Sequence, residues 1–393
     1  MRIGIYGGSF NPPHLGHFHG AQFAVERLQL DKLFLIPAGI APHKALPAGS
    51  PTAMQRLEIM KRAAAEIGDP RITVSDMEVI REGKSYTYET VRTLESQYPG
   101  DSLYLIMGTD MFLSFENWKE PDDIAARATL AVLYRGERDE EQLLSQKKET
   151  LEKKGYRIQL LQNPVTAISS TDLRRMLAFR CADKYLLPGT LNYILEEKLY
   201  GSGRDYHHLT MEEMEEVVVS LLKPSRVAHV LGCRDTAIEL GERFGEDPDL
   251  CARAGILHDI TKALDYGQQK ALCRAYGISP EAYKDHYAST IHAFTGGLVA
   301  ERIFGECPKV VDAIYYHTTG RAGMTKLEKI IYVADYIEPN RDFPGVEELR
   351  QTALRDLDDG VALGLKITLE HLKEQGKVIS PLSQAALEAF QLI

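Results

Sequence analysis

The feature that most constrains this chain is an alternation that stops halfway. Over the first 200 residues, apolar or β-branched runs at 2–6, 33–36, 72–75, 103–106, 129–134 and 158–161 are separated by stretches of helical period, such as 16–28 and 52–67, the latter closed by Gly68. Runs that stay apolar without polar alternation, set between helices, belong to βαβ units and a parallel sheet covered on both faces. After Tyr200 the texture changes. Beyond a small-residue junction at 201–205, helical periodicity recurs at 211–222, 225–244, 249–263, 292–304, 309–317, 326–336, 351–374 and 383–392. The expected architecture is an α/β doubly wound parallel sheet over residues 1–203 followed by an all-α domain over residues 204–393.

Charge and cysteine usage narrow the function classes. Residues 1–203 carry 25 Lys and Arg against 26 Asp and Glu, while residues 204–393 carry 21 against 30, so the net charge of −10 sits almost wholly in the second part. Neither part has the basic footprint of a nucleic-acid binder. Eight of the 12 histidines also fall in the second part. An acidic, histidine-rich segment suits a divalent metal better than a polyanion-binding surface. The five cysteines (Cys181, Cys233, Cys251, Cys273, Cys307) form no CxxC pair and read as free thiols. No run approaches the roughly 20 apolar residues of a membrane span, and the first ten residues lack a signal-peptide core, so a cytoplasmic protein is expected.

The first motif lies where a doubly wound sheet binds its ligands. Gly7-Gly8-Ser9-Phe10-Asn11-Pro12-Pro13-His14-Leu15-Gly16-His17 leaves the first strand and opens a helix. Glycines let the backbone approach a ligand, and a helix start offers unpaired N–H groups and a positive dipole end to phosphate. Neither a Walker A loop nor a GxGxxG fingerprint is present. His14 and His17 share one face of a first helical turn and can hydrogen-bond to phosphate oxygens that gain charge during transfer. A second anion site is written at Ile168-Ser169-Ser170-Thr171-Asp172-Leu173-Arg174, where Ser170 or Thr171 can cap a helix and Arg174 can reach the same anion one turn in.

These two motifs, HxGH and ISSTxxR, resemble those of the nucleotidylyltransferase superfamily. With Pro42-His43-Lys44, Ser85-Tyr86-Thr87-Tyr88-Glu89-Thr90, Gly108-Thr109-Asp110 and Trp118, the first 200 residues look most like the bacterial nicotinate-nucleotide adenylyltransferases. The resemblance implies a Rossmann-like domain that transfers AMP from ATP, accompanied by Mg²⁺, to nicotinate mononucleotide. His14, His17, Lys44 and Arg174 would serve the phosphates. Gly7, Gly8, Ser9, Phe10, Asn11, Thr87, Gly108, Asp110, Ser170 and Thr171 would contact the nucleotides, with Trp118 stacked on the pyridine ring. Another acceptor, such as pantetheine phosphate or a cytidylyl acceptor, stays open.

In the second part His229, the adjacent His258-Asp259, His292, His317 and Asp335 fall on separate helical stretches. Imidazoles and carboxylates together suit Fe, Mn, Zn or Ni, and facing helices are a usual place to assemble them. The order H…HD…H…H…D resembles the HD-domain phosphohydrolases. The runs around Arg226, Lys262, Thr318 and Arg341 narrow the likeness to small bacterial proteins related to symmetrical diadenosine tetraphosphate hydrolase. That resemblance implies cleavage of diadenosine tetraphosphate to two ADP at a ferric or other transition-metal centre held by His229, His258, Asp259 and Asp335. Arg226, Lys262, His292, His317, Thr318 and Arg341 would contact the polyphosphate. The surroundings of His292 depart from the pattern, which leaves His286 as a substitute. One metal or two, a different nucleotide substrate, a sensing role without hydrolysis, and a homo-oligomer are all left open.

Overall fold

The computed structural model describes residues 1–42, 45–136, 138–163 and 168–391. The chain divides into two compact units, Met1–Arg204 and Asp205–Ile393. Among the described residues no helix is long and apolar enough to cross a membrane.

In the first unit, strands β1 (Arg2–Gly8), β2 (Lys32–Pro37), β3 (Ile72–Val74), β4 (Ser102–Gly108), β5 (Ala128–Tyr134) and β6 (Ile158–Gln162) form a parallel sheet in the order β3-β2-β1-β4-β5-β6. The helices are α1 (Leu15–Arg27), α2 (Ala53–Ile67), α3 (Thr87–Gln97), α4 (Thr109–Leu113), α5 (Pro121–Arg127), α6 (Arg138–Glu152), α7 (Ser170–Ala178) and α8 (Pro188–Glu196). Each apolar run becomes a strand because both of its faces are buried. In β4, Leu103, Leu105 and Met107 pack with Val91 and Leu94 of α3 and Ile124 of α5, whereas Tyr104 and Ile106 meet Phe18 and Val25 of α1 and Met60 of α2. Each such side chain removed from water contributes about 1.5–3 kcal/mol. Local chemistry then sets the helix ends. The Thr52 hydroxyl accepts the Gln55 N–H at 3.2 Å to start α2, and Gly68 closes that helix at φ 68°. The strand order reverses between β2-β1 and β4-β5, which places a crevice beyond the carboxyl ends of β1 and β4.

The second unit is helical: α9 (Met211–Leu221), α10 (Pro224–Phe244), α11 (Pro248–Leu257), α12 (Tyr266–Ala275), α13 (Ile291–Arg302), α14 (Pro308–Tyr316), α15 (Lys326–Ile337), α16 (Val346–Arg355), α17 (Leu357–Glu374) and α18 (Pro381–Gln391). Two expectations are corrected. The helix read over 249–263 ends at Leu257, because the chain then tightens through Ile260 N–H to Leu257 O and Leu264 N–H to Thr261 O. Asp265 next caps α12, a helix the periodicity did not suggest. The helix read over 351–374 is two helices. Asp356 interrupts it by accepting the N–H groups of Asp358 and Asp359 at 2.9 and 3.0 Å, a local competitor to continued helix.

Candidate active sites

Two cavities open at the carboxyl edge of the first unit's sheet. One, about 450 Å³, is lined by Gly7, Gly8, Ser9, Phe10, Thr87 and Trp118. The other, about 560 Å³, is lined by His14, Thr109, Asp110, Asn163 and Ser169. Tyr6, His17, Gly108 and Ser170 border both. Most of the residues read from sequence therefore split between two adjoining spaces that share a wall, while Asn11, Thr171 and Arg174 line neither.

The histidine pair forms that wall from the start of α1. His14 is the N-cap and His17 lies one turn in, with ring centroids 3.7 Å apart. His17 Nδ1 accepts the His14 backbone N–H at 3.2 Å, so a neutral His17 carries its proton on Nε2 and is a donor there. Burial lowers His14 to about 4, and burial together with the neighbouring His14 holds His17 well below the usual imidazole range. Both rings are neutral near pH 7.

Segment 9–12 is tied to two helices. Ser170 Oγ donates to Pro12 O at 2.9 Å, and Arg174 donates to Asn11 O at 2.7 Å and to Thr171 Oγ1 at 3.0 Å. From the other side the fully buried Arg56 donates to Ser9 O at 2.6 Å, Ala38 O at 2.7 Å and Gly39 O at 3.1 Å. One reading changes here. Ser169, not Ser170 or Thr171, caps α7, accepting the Asp172 N–H at 3.0 Å. The Asn11 amide donates to Ser50 at 2.9 Å, so that side chain braces the loop. Lys44 and His43 lie outside the described residues.

Sequence reading missed Arg56 and Glu78. An arginine on the apolar face of α2, beside Leu57, Ile59 and Met60, was a legible signal. Glu78 lines the Trp118 cavity, and burial pushes its carboxyl up to about 7 against the pull of the Thr90 hydroxyl, which donates to it at 2.6 Å.

In the second unit the histidines and aspartates converge. Ring nitrogens of His229 and His258 and an oxygen of Asp335 lie within 4.8 Å of one another, as do ligand atoms of His258, Asp259 and His317. Asp259 stands in the middle. Its Oδ2 is 3.8 Å from His229 Nε2 and 3.7 Å from His258 Nε2, while its Oδ1 is 3.3 Å from His292 Nε2 and 3.7 Å from His317 Nε2. Tautomers are fixed from behind. His258 Nδ1 donates to Gly255 O at 2.7 Å, His317 Nδ1 to Ile314 O at 2.8 Å, and His229 Nδ1 to Glu338 Oε1 at 3.0 Å. Each Nε2 thus presents a lone pair to the same space, and that of His317 is buried without a partner. Such a donor set fits a transition-metal cation.

Around this cluster Arg226 is paired with Asp259, Arg341 with Asp335, and Lys262 Nζ is 2.9 Å from His292 Nε2. Burial lowers Lys262 to about 8 and His317 to about 4. His292 and His317 are fully buried, each with its Nε2 toward Asp259. His292 occupies the position in question. His286 packs instead against Phe294, with ring centroids 4.9 Å apart. The Thr318 hydroxyl is buried without a partner. Glu338, three residues after Asp335, was not read from sequence.

The chain matches the cytidylyltransferase-like family model over residues 5–176 and the HD domain model over residues 226–340. It is 37% identical over 201 residues to the "probable nicotinate-nucleotide adenylyltransferase" of Dictyoglomus thermophilum, spanning 51% of this chain and 100% of that protein. Over 174 residues it is 40% identical to the symmetrical bis(5'-nucleosyl)-tetraphosphatase of Bacillus subtilis, spanning 44% of this chain and 93% of that protein. A crystal structure described as a predicted HD superfamily hydrolase involved in NAD metabolism, from Clostridium acetobutylicum, is 31% identical and covers 47% of this chain and 98% of that one at a TM-score of 0.45. A relative recovered here along its full length at this level of identity establishes kinship, and the chain belongs to the nicotinate-nucleotide adenylyltransferase family, with an HD domain joined to it on the same polypeptide.

Proposed function

We propose that residues 1–203 transfer AMP from ATP to nicotinate mononucleotide, giving deamido-NAD and pyrophosphate. The observation that carries this reading is the pair of adjoining cavities with His17 and Ser170 on their common wall. ATP with its Mg²⁺ would fill the His14 and Asp110 side, and the mononucleotide the Trp118 side, so that its phosphate meets the α-phosphorus at the wall. The mononucleotide phosphate oxygen attacks that phosphorus as the bond to pyrophosphate breaks, with no covalent enzyme intermediate. The protein positions the groups and stabilises charge. Neutral His17 donates from Nε2, the start of α7 offers its N–H groups, and Arg174 would turn from Asn11 O to meet the phosphates.

For residues 204–393 the proposal is metal-dependent hydrolysis of diadenosine tetraphosphate to two ADP. Support comes from the four Nε2 atoms facing Asp259, whose two oxygens divide them into pairs and favour two cation positions over one. His229, His258 and Asp335 would hold one cation, His292 and His317 the other, with Asp259 shared. A cation bound there lowers the pKa of water and offsets charge on the attacked phosphorus. Arg226, Lys262 and Arg341, packed beside the same groups, would take the outer phosphate oxygens, with Thr318 close by.

A substrate panel tests both halves. Pyrophosphate release from ATP should appear with nicotinate mononucleotide and fall away with its amide and with pantetheine phosphate; equal or greater turnover of pantetheine phosphate overturns the first reading. Diadenosine tetraphosphate should yield ADP as the sole nucleotide in the presence of Fe or Mn. No cleavage under any of these metals, or ATP with AMP as products, overturns the second.

A further inference from the structure

The three histidines whose tautomers are fixed from behind solve that problem in two ways. His258 and His317 lie just past the last residues of α11 and α14, where carbonyls of the final turn have no helical N–H to bind. Gly255 O takes the His258 Nδ1 proton there, and Ile314 O takes that of His317 in addition to a long 3.5 Å bond from the His317 backbone N–H. His229 lies inside the 21-residue α10, where the carbonyls one turn back are committed to the helix. Its Nδ1 needs an acceptor from elsewhere.

We propose that Glu338 is the positioning residue for His229 and thereby sets how tightly this centre holds its metal, an inference that rests on the metal reading above. Glu338 is fully buried, and both of its oxygens are engaged. Oε1 accepts His229 Nδ1–H at 3.0 Å, while Oε2 accepts the Asn340 backbone N–H at 2.7 Å and its Nδ2–H at 2.9 Å. Asn340 Nδ2 also donates to Ala228 O at 3.2 Å, and Arg350 holds Glu338 O at 3.0 Å. The carboxylate sits in a notch of α10 made by Gly232, one turn beyond His229. A Cβ at that position would stand 2.5 Å from Glu338 Oε2 and 3.2 Å from Asn340 Nδ2. Three donors thus converge on a carboxylate that meets His229 at Nδ1, on the opposite side of the ring from the Nε2 facing Asp259. Its effect on the ligand is to direct the ring and to enrich Nε2 through a charge-assisted hydrogen bond.

The test uses the full chain with Mn²⁺ as the probe. Removal of such a partner typically weakens metal binding about 10–100-fold, and Glu338→Gln should do so here, with adenylyl transfer by the same preparation and unfolding of the metal-free chain little changed. Gly232→Ala, which pushes the carboxylate off its seat without removing it, should move Mn²⁺ affinity in the same direction. A second readout needs no metal. Nitrogen chemical shifts of the His229 ring should report the Nδ1–H tautomer in the unsubstituted chain and a mixture in Glu338→Gln. Mn²⁺ affinity within about twofold between the two, or an Nε2–H tautomer in the unsubstituted chain, overturns the role given to Glu338. Failure of the unsubstituted chain to take up Mn²⁺ overturns the metal reading beneath it.

Discussion

Glu78 is a carboxyl group in a place that favours its neutral form. Burial is the main cause of its rise to about 7, and the Thr90 hydroxyl, Arg81 and Ser85 only partly offset it. Below the ordinary carboxylate value the group is protonated in folded and unfolded chains alike and contributes no difference. Between that value and 7 the unfolded chain ionises while the folded one keeps its proton, so folding loses roughly 3 kcal/mol as pH rises through this window. Glu78→Gln keeps an acceptor for Thr90 and removes the titration. Its gain in Tm should be clearly larger at pH 8 than at pH 5 when unfolding is followed calorimetrically; equal gains at the two values would show that burial does not act through ionisation. His14 has the opposite sign. With its pKa lowered to about 4, it weakens folding as pH falls from 6.5 toward 4, because only the unfolded chain takes up the proton. Neither group's environment could be read from sequence, since both depend on what packs around them rather than on their neighbours in the chain.

The elements carrying these groups were legible to different degrees. All six strands were visible because a strand buried on both faces leaves a continuous apolar run, as Leu103 to Met107 does between its two helical layers. Helix ends in the second unit were not. Period alone carried the reading of α11 across His258-Asp259, whereas the chain stops the helix there and so brings both groups to the histidine and aspartate cluster. Gly255 shows what makes that end work. A Cβ on it would stand 2.8 Å from Arg234 Cα, so its hydrogen lets α10 and α11 meet backbone to backbone, and its carbonyl takes the His258 proton. Gly255→Ala must push the two helices apart. The expected cost is about 1–3 kcal/mol in denaturant unfolding, with weaker Mn²⁺ uptake because His229 on α10 and His258 beyond α11 are displaced from each other. Unchanged Mn²⁺ affinity in a destabilised chain would mean that the cluster tolerates the shift.

The whole molecule was the most legible scale, because the change from alternating strand and helix patterns to helices alone reflects two different ways of burying apolar surface. Each way yields its own core, and each candidate site is assembled from one core only. His17, Ser170 and Arg174 all belong to the unit Met1–Arg204, and His229, His258, Asp259, His292, His317 and Asp335 all belong to Asp205–Ile393. Substitutions that share no partner act additively, so each site should fail alone. His17→Ala removes the donor that the proposed transfer uses and should lower adenylyl transfer by about 100-fold or more, with ADP release from diadenosine tetraphosphate within about twofold of the unsubstituted chain. His258→Ala should do the reverse, since it deletes a proposed ligand in one core and leaves the other packed as before. Both rates are measured on the same purified chain. If either substitution lowers both rates alike, the two chemistries depend on a common element, and the division of labour drawn from the two cores is wrong.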